Sequence, residues 1–329
     1  MSFTTTLLHW FRENGRDLPW RQTRDPYAVW LSEIILQQTQ VKQGWDYWMR
    51  FMRRWPTVEA LAAASEDEVL REWQGLGYYS RARNLHTAAR QIVEMGAFPN
   101  TIEGIKSLKG VGDYTAAAIG SIAFDLPAAV VDGNVYRVLA RHYGIDTPIN
   151  TTEGKKEFAA LAQSLLPPDE ASAYNQAIMD FGAIQCTPKS PRCLICPLQL
   201  TCIALREGKV EQLPAKLKTL KVKERHLIYT YIRYQGYTAI HRRPAGDIWQ
   251  GLYEPLLTDA PQPGAVLLRQ NLKHVLTHRV LYADFYLLET SSRPPLPADY
   301  IWIPEADIDN YAVPRLVELL LEELWKKST

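Results

Sequence analysis

The sequence predicts two domains of different class: a mainly α domain over residues 1–206, then a smaller α+β domain over residues 225–329. Three observations carry this. The length of 329 residues suits two domains of about 100–200 residues each. Apolar residues recur at helical spacing up to residue 206, and β-branched and aromatic runs with Gly and Pro punctuation dominate after residue 224. Between them, 207–224 reads as a basic linker. From Lys209 to Lys223 it holds five lysines and one acid, as a solvated connector or, alternatively, a phosphate-contacting strap.

Each element follows from a local signal. "DPYAVWLSEIILQQTQV" has apolar residues at helical spacing, and "SEDEVLREWQGLGYY" opens with Ser65 and Glu68 in a capping-box pattern. "TAAAIGSIAF" and "FAALAQSLL" read as apolar helices rich in small residues. "RHLIYTYIRYQGYTAIHRR" and "VLYADFYLLET" read as strands, and "VPRLVELLLEELWKK" returns to helical periodicity. The composition, 47% hydrophobic and 22% charged, is that of a globular protein with enough apolar side chains for two cores. No apolar run reaches the roughly 18 residues of a membrane span, and the N-terminus lacks the pattern of a signal peptide. The expected location is therefore the cytoplasm, where clustered thiols hold metals more often than they form disulfides. The net charge of +1 neither favours nor excludes a polyanionic partner.

All four cysteines stand in "CTPKSPRCLICPLQLTC", spaced C-x6-C-x2-C-x5-C at Cys186, Cys193, Cys196 and Cys202. Four thiolates in one loop can close a tetrahedral zinc site or hold the irons of a cubane cluster, and ligand count leaves both open. Pro188, Pro191 and Pro197 stiffen the loop, while Lys189 and Arg192 put positive charge on it. It offers no general base and no open metal position, so its role is structural.

"LKGVGDYTAAAIGSIAF" sets Gly110 and Gly112 between two apolar segments. Such glycines free backbone N–H groups at the start of the next helix, where the dipole favours phosphate without any basic side chain. Further on, Asp132 in "VVDGNVYRVLAR" reads locally as a helix N-cap, a position where a carboxylate stays ionised. Glu33, among Trp30, Leu31, Ile34, Ile35 and Leu36, is either a surface residue or a buried acid with a raised pKa. The polar run Gln37–Gln40 behind it suits contact with bases. One acid kept protonated and one kept ionised is the arrangement that cleaves glycosidic bonds.

With these residues in hand, the α domain resembles the helix–hairpin–helix DNA glycosylases that carry an iron–sulfur loop, and most closely the MutY-type adenine DNA glycosylases. The match rests on "DLPWRQTRDPYAVWLSEIILQQTQV", "GLGYYSRARNLHTAA", "LKGVGDYTA", "VVDGNVYRVLAR" and the cysteine spacing, over about residues 5–206. The resemblance implies a 4Fe–4S cluster on the four cysteines. It implies Glu33 as the acid that protonates adenine and Asp132 as the carboxylate that stabilises an oxocarbenium-like sugar. Tyr114 and Asn134 fall at assisting positions, Arg24 at one facing adenine, and Gln38 and Tyr78 where the family wedges the base stack. An endonuclease III-like branch would need a nucleophilic lysine and a histidine where this chain has Tyr114 and Asn134. A monofunctional enzyme with little or no lyase activity is therefore implied. A non-catalytic DNA-binding iron–sulfur protein is the alternative of a different class.

Residues 225–329 resemble, more loosely, the Nudix-like domain with which such enzymes recognise 8-oxoguanine. "IWQGLYEPLL" stands in the tryptophan-containing segment, with Tyr253 and Leu256 as departures, and no Nudix box is present. "HVLTHR" stands at the lesion-contacting loop, with Leu276 for an aromatic and Thr277 for a serine, which leaves Thr277 and His278 as lesion contacts. The implied partner is double-stranded DNA with A:8-oxoguanine or A:G mispairs, bound by a monomer without membrane association.

Overall fold

The computed structural model describes residues 2–217 and 222–326; residues 218–221 of the lysine-rich linker lie outside the described residues. The helices are α1 (Phe3–Asn14), α2 (Pro26–Leu36), α3 (Val41–Arg54), α4 (Val58–Ala63), α5 (Glu66–Trp73) and α6 (Ser80–Met95). They continue with α7 (Ile102–Ser107), α8 (Asp113–Phe124), α9 (Gly133–Tyr143), α10 (Thr152–Leu165), α11 (Ala171–Asp180), α12 (Ile203–Arg206) and α13 (Arg315–Lys326). Strands β1 (Lys223–Arg233), β2 (Tyr237–Arg242), β3 (Tyr253–Glu254), β4 (Leu256–Thr258), β5 (Val266–Val275), β6 (Arg279–Glu289) and β7 (Tyr300–Pro304) occupy the C-terminal part. A helical N-terminal part and a C-terminal part of small sheets are thus both present.

By contacts the chain divides into two compact units that do not follow chain order. One joins the residues up to Ala62 with those from Thr87 into the linker; the other joins Ala63–His86 to the residues beyond the linker.

In the first unit, α2 and α8 pack together and both are apolar on nearly all sides, which buries them as central helices. Asp25 caps α2 through a bond from the Tyr27 N–H at 3.1 Å, with Pro26 in the first turn where its missing donor costs nothing. Leu7, Val135, Leu139, Phe158, Tyr174 and Phe181 centre the core cluster into which α1, α9, α10 and α11 pack. Five residues after α11, Phe181–Gln185, wind as one π turn that ends at Cys186. Gly182 in that turn lies against Asn134; an added Cβ would stand 2.6 Å from the Asn134 Cβ and 3.0 Å from its Cα. Only glycine allows that approach.

In the second unit a four-stranded sheet has the order β4-β1-β6-β5, with β1 and β6 parallel over Lys223–Arg233 and Arg279–Glu289. A three-stranded sheet has the order β3-β2-β7, and α13 contributes Leu316, Val317, Leu320 and Leu324 to the same core as Tyr229 and Phe285. Ser65 caps α5 with the reciprocal capping box its sequence predicts. No helix among the described residues is long and apolar enough to cross a membrane.

Candidate active site and cysteine loop

A pocket of about 450 Å³ opens in the first unit, a size that holds a small organic group. Glu33 from α2, Tyr114 from α8, and Asp132 and Asn134 at the start of α9 line it, with Gln38, Arg16 and Arg21. Helix α2 delivers Glu33 because both its flanks are apolar, which carries the carboxyl inside with only 8% exposure. Of the two readings open in sequence, the buried acid is the one observed. Burial pushes its pKa up, the Tyr114 bond pulls it down, Asp132 raises it and Arg21 lowers it; the result is about 7. The Tyr114 hydroxyl donates to Glu33 Oε2 at 2.8 Å. Burial first, then both carboxylates, hold that phenol far above its usual range, so it stays protonated and can donate to Glu33.

Asp132 is the N-cap of α9. Its Oδ1 accepts the Val135 N–H at 2.8 Å and its Oδ2 accepts the Asn134 side-chain amide at 2.8 Å. A cap position alone argues for a low pKa, but burial wins and raises it, with the cap bonds and Arg137 pulling back. The two carboxyls are still unequal. Asp132 accepts donors on both oxygens, whereas Glu33 has the single Tyr114 bond, a difference in partners that favours the charge on Asp132 and the proton on Glu33.

Arg137, one turn into α9, fixes this arrangement. It donates to Asn134 Oδ1 at 2.8 Å, to the Gly182 carbonyl at 2.6 Å and to the Cys186 carbonyl at 2.7 Å. Four residues on, buried Arg141 donates to the Thr187 carbonyl at 2.7 Å, the Leu213 carbonyl at 3.0 Å and the Cys186 Sγ at 3.5 Å. One helix face thus ties the cap aspartate to the cysteine loop.

The four cysteines line one small cavity with Arg141, Gln199 and Leu205, and none forms a disulfide. Among the described residues no group of three or more His, Cys, Asp or Glu is arranged to hold a metal ion. The donor chemistry does fit a cationic inorganic group. Burial pushes the thiols of Cys193 and Cys202 up and that of Cys196 to about 11, and the cysteines raise one another. Thiols so placed ionise only if a positive centre offsets their charge.

The remaining sequence-predicted residues are distributed as follows. Gln38 lines the pocket in a left-handed conformation, φ 56°. Gly112 is the N-cap of α8, and Gly110 before it has φ 81°, a conformation that favours glycine. Arg24 is not among the pocket residues: it is exposed and pairs with Asp125. Arg21, three positions earlier, lines the pocket and was not singled out in the sequence, nor were Gln176 and Met179. Tyr78, Thr277 and His278 all belong to the second unit and all are exposed. The Tyr78 hydroxyl is hydrogen-bonded to that of Thr277, and Tyr78 is also left-handed, φ 46°. Thr277 and His278 sit in the turn between β5 and β6, held by a Leu276 N–H to Arg279 carbonyl bond of 2.8 Å.

Fold and pocket together define a class. Residues 31–168 match the HhH-GPD superfamily of base excision DNA repair proteins, and residues 228–323 match the NUDIX domain. A solved structure of a thermostable thymine-DNA glycosylase superposes with a TM-score of 0.58 at 32% identity, covering 62% of this chain and 95% of that one. The adenine DNA glycosylase of Mus musculus is 45% identical over 229 residues, 65% of this chain but only 44% of its own length. The adenine DNA glycosylase of Buchnera aphidicola (subspecies Baizongia pistaciae) is 34% identical over 303 residues, covering 86% of this chain and 84% of its own. The chain belongs to the MutY-type adenine DNA glycosylase family.

Proposed function

We propose that this protein is an adenine DNA glycosylase of base-excision repair that hydrolyses the N-glycosidic bond of adenine mispaired with 8-oxoguanine or guanine. One observation carries the reading: two carboxyls with unequal partners face a single pocket, buried Glu33 at about 7 with Tyr114 at 2.8 Å, and half-buried Asp132 held by donors on both oxygens. The target base leaves the stack at a cost of roughly a few kcal/mol, least at a mispair. Glu33 gives its proton to the adenine ring, so the base departs neutral rather than as an anion. Asp132 faces the sugar as positive charge develops there. Asn134 and Arg137 hold that carboxylate in place. Among the described residues no lysine lines the pocket, and Tyr114 stands where Schiff-base chemistry would need an amine, which supports a monofunctional reaction.

Phosphates meet the backbone amides after Gly110 and Gly112, Gln38 and Tyr78 enter the stack, and Thr277 with His278 contacts the lesion. Their left-handed backbones, an uncommon conformation for Gln and Tyr, support the wedge assignment. Arg24 keeps the adenine-facing role only if it leaves Asp125; Arg21 is the better placed guanidinium. Cys186, Cys193, Cys196 and Cys202 hold a 4Fe–4S cluster, which when bound supplies a covalent cross-link through the loop. The glycosylase domain spans 1–206, the basic linker 207–224 and the Nudix-like domain 225–329, although Ala63–His86 within the first of these packs in the second compact unit. The enzyme acts as a monomer on chromosomal DNA in the cytoplasm.

The test is release of free adenine from an A:8-oxoguanine duplex under single turnover, with T-, C- and oxidised-pyrimidine duplexes alongside. Glu33→Gln and Asp132→Asn should each abolish release while duplex binding persists. Near-normal excision by either variant would refute the mechanism, and binding without excision by the wild type would favour a lesion sensor.

A further inference from the structure

We propose that Asp180 is a positioning residue of this site: it pins Arg16 and Arg21 in the pocket wall, cancels one of their two charges, and so governs whether Glu33 holds the proton it must deliver. The inference rests on Glu33 being the acid.

Asp180 closes α11 with no exposure, at the start of the π turn. A buried carboxylate survives only when its oxygens are satisfied. Its Oδ2 accepts the Arg16 N–H at 2.9 Å and Arg21 Nη1 at 2.7 Å; its Oδ1 accepts Arg16 Nε at 2.9 Å and Arg21 Nη2 at 2.8 Å, and is paired with Arg16 Nη2 as well. Burial alone would raise this carboxyl, but the two guanidiniums outweigh it and hold it below its ordinary range, so it is anionic. Arg21 is fixed on its other sides too. It donates to the Arg16 carbonyl at 2.9 Å, and its guanidinium lies 5.5 Å from the centre of the Phe11 ring. Such an arginine cannot swing toward or away from its neighbours.

Both arginines line the pocket with Glu33. The charged and titratable groups acting on Glu33 are Tyr114 from α8, Asp132 at the start of α9, and Arg21 from the turn before α2. Arg21 favours the ionised form, which is the wrong form for an acid. Two guanidiniums with one carboxylate leave a single net positive charge in the wall. Without the carboxylate there would be two, and Arg21 would keep only the Arg16 carbonyl and the Phe11 ring to hold it away from Glu33. A carboxylate outside the reacting shell thereby sets the proton affinity of one inside it.

The experiment is the pH profile of single-turnover adenine excision by the full-length protein, in wild type, Asp180→Asn, Arg21→Gln and the double variant. Asp180→Asn should move the limb on which activity is lost with rising pH downward by about one pH unit, about tenfold in relative rate on that limb. Adding Arg21→Gln should return the limb to the wild-type position or above it, and Arg21→Gln alone should move it upward. A merely structural Asp180 would lower the plateau and leave the limb in place, which overturns the proposal. If Asp180→Asn fails to fold, the Arg21→Gln limb decides alone: upward sustains the proposal, unmoved overturns it. Excision that persists in Glu33→Gln removes the acid assignment and this proposal together, whereas an unmoved limb removes only the latter.

Discussion

Glu33 in the first unit and Glu254 in the second are both buried, at 8% and 1% exposure, yet they are driven in opposite directions. Burial raises each. Glu33 has one phenolic bond to set against it and ends at about 7. Glu254 accepts from Tyr229 Oη at 2.8 Å, His241 Nε2 at 2.9 Å and Arg243 Nη1 at 2.5 Å, and these partners hold it below the usual carboxylate range. Arg243 in turn reaches Asp247 at 2.7 Å, which also takes Arg225 and Arg279. The same side chain holds its proton more tightly where it is left nearly alone and gives it up more readily where it is fully partnered. Burial by itself tells neither.

The comparison can be broken in the laboratory. Exchange of Glu33 for Gln should abolish measurable excision, since loss of a general acid alone costs at least about 10²–10⁴-fold. The fold should gain. A carboxyl raised from 4.5 to about 7 favours folding below its unfolded value, and that contribution is lost as pH rises through about 7. The variant should therefore melt higher than wild type at pH 8, by up to about 3 kcal/mol. Glu254→Gln should do the reverse. It leaves buried Arg243 with Asp247 as its remaining anion, at a cost of up to about 3–5 kcal/mol. The Glu254 contribution is present above the unfolded carboxyl pKa and lost as pH falls through its depressed folded value, so the difference from wild type should shrink in acid. Calorimetric melts of both variants across pH, with opposite slopes, would sustain the contrast; parallel slopes would end it.

Smaller changes sharpen it. Gly182→Ala forces a methyl into Asn134 and displaces the support of Asp132, which should slow excision by about 10–100-fold. Lesion-duplex affinity should hold, and an unchanged rate would mean that Asn134 does not matter to the aspartate. Tyr114→Phe is the mildest. It removes the one bond that lowers Glu33, so the alkaline limb should move up and the rate at pH 8 change only a few-fold. A limb moving down would reverse the assigned role.

What the sequence made legible was local. The Asp132 cap, the Ser65–Glu68 box and the turn at Gly110 and Gly112 all live within a few residues, and each is found as expected; the four closely spaced cysteines line one cavity. What escaped is made by residues far apart. Asp180 stands 159 residues from Arg21, and no pattern in "PWRQTR" separates Arg21, which turns inward, from Arg24, which turns out to Asp125. Arg137 and Arg141 look in sequence like the charged face of an amphipathic helix; both are buried, because the cysteine loop offers them carbonyls. The raised Asp132 shows the same limit, since a cap is visible in sequence and its burial is not.

The division of the chain has a practical meaning for anyone who cuts it. Residues Ala63–His86 pack with the C-terminal unit, through bonds such as Arg242 to Glu66 at 2.8 Å and Gln74 to Glu318 at 2.5 Å. The backbone therefore crosses from one unit to the other three times: after Ala62, after His86 and in the linker. Proteolysis at the linker alone would sever one of three tethers, and the fragments should stay together on a sizing column. A shortened chain ending there would strand α5 without the surface it was built to cover, so any change in its duplex binding would report on that loss as well as on the missing Thr277.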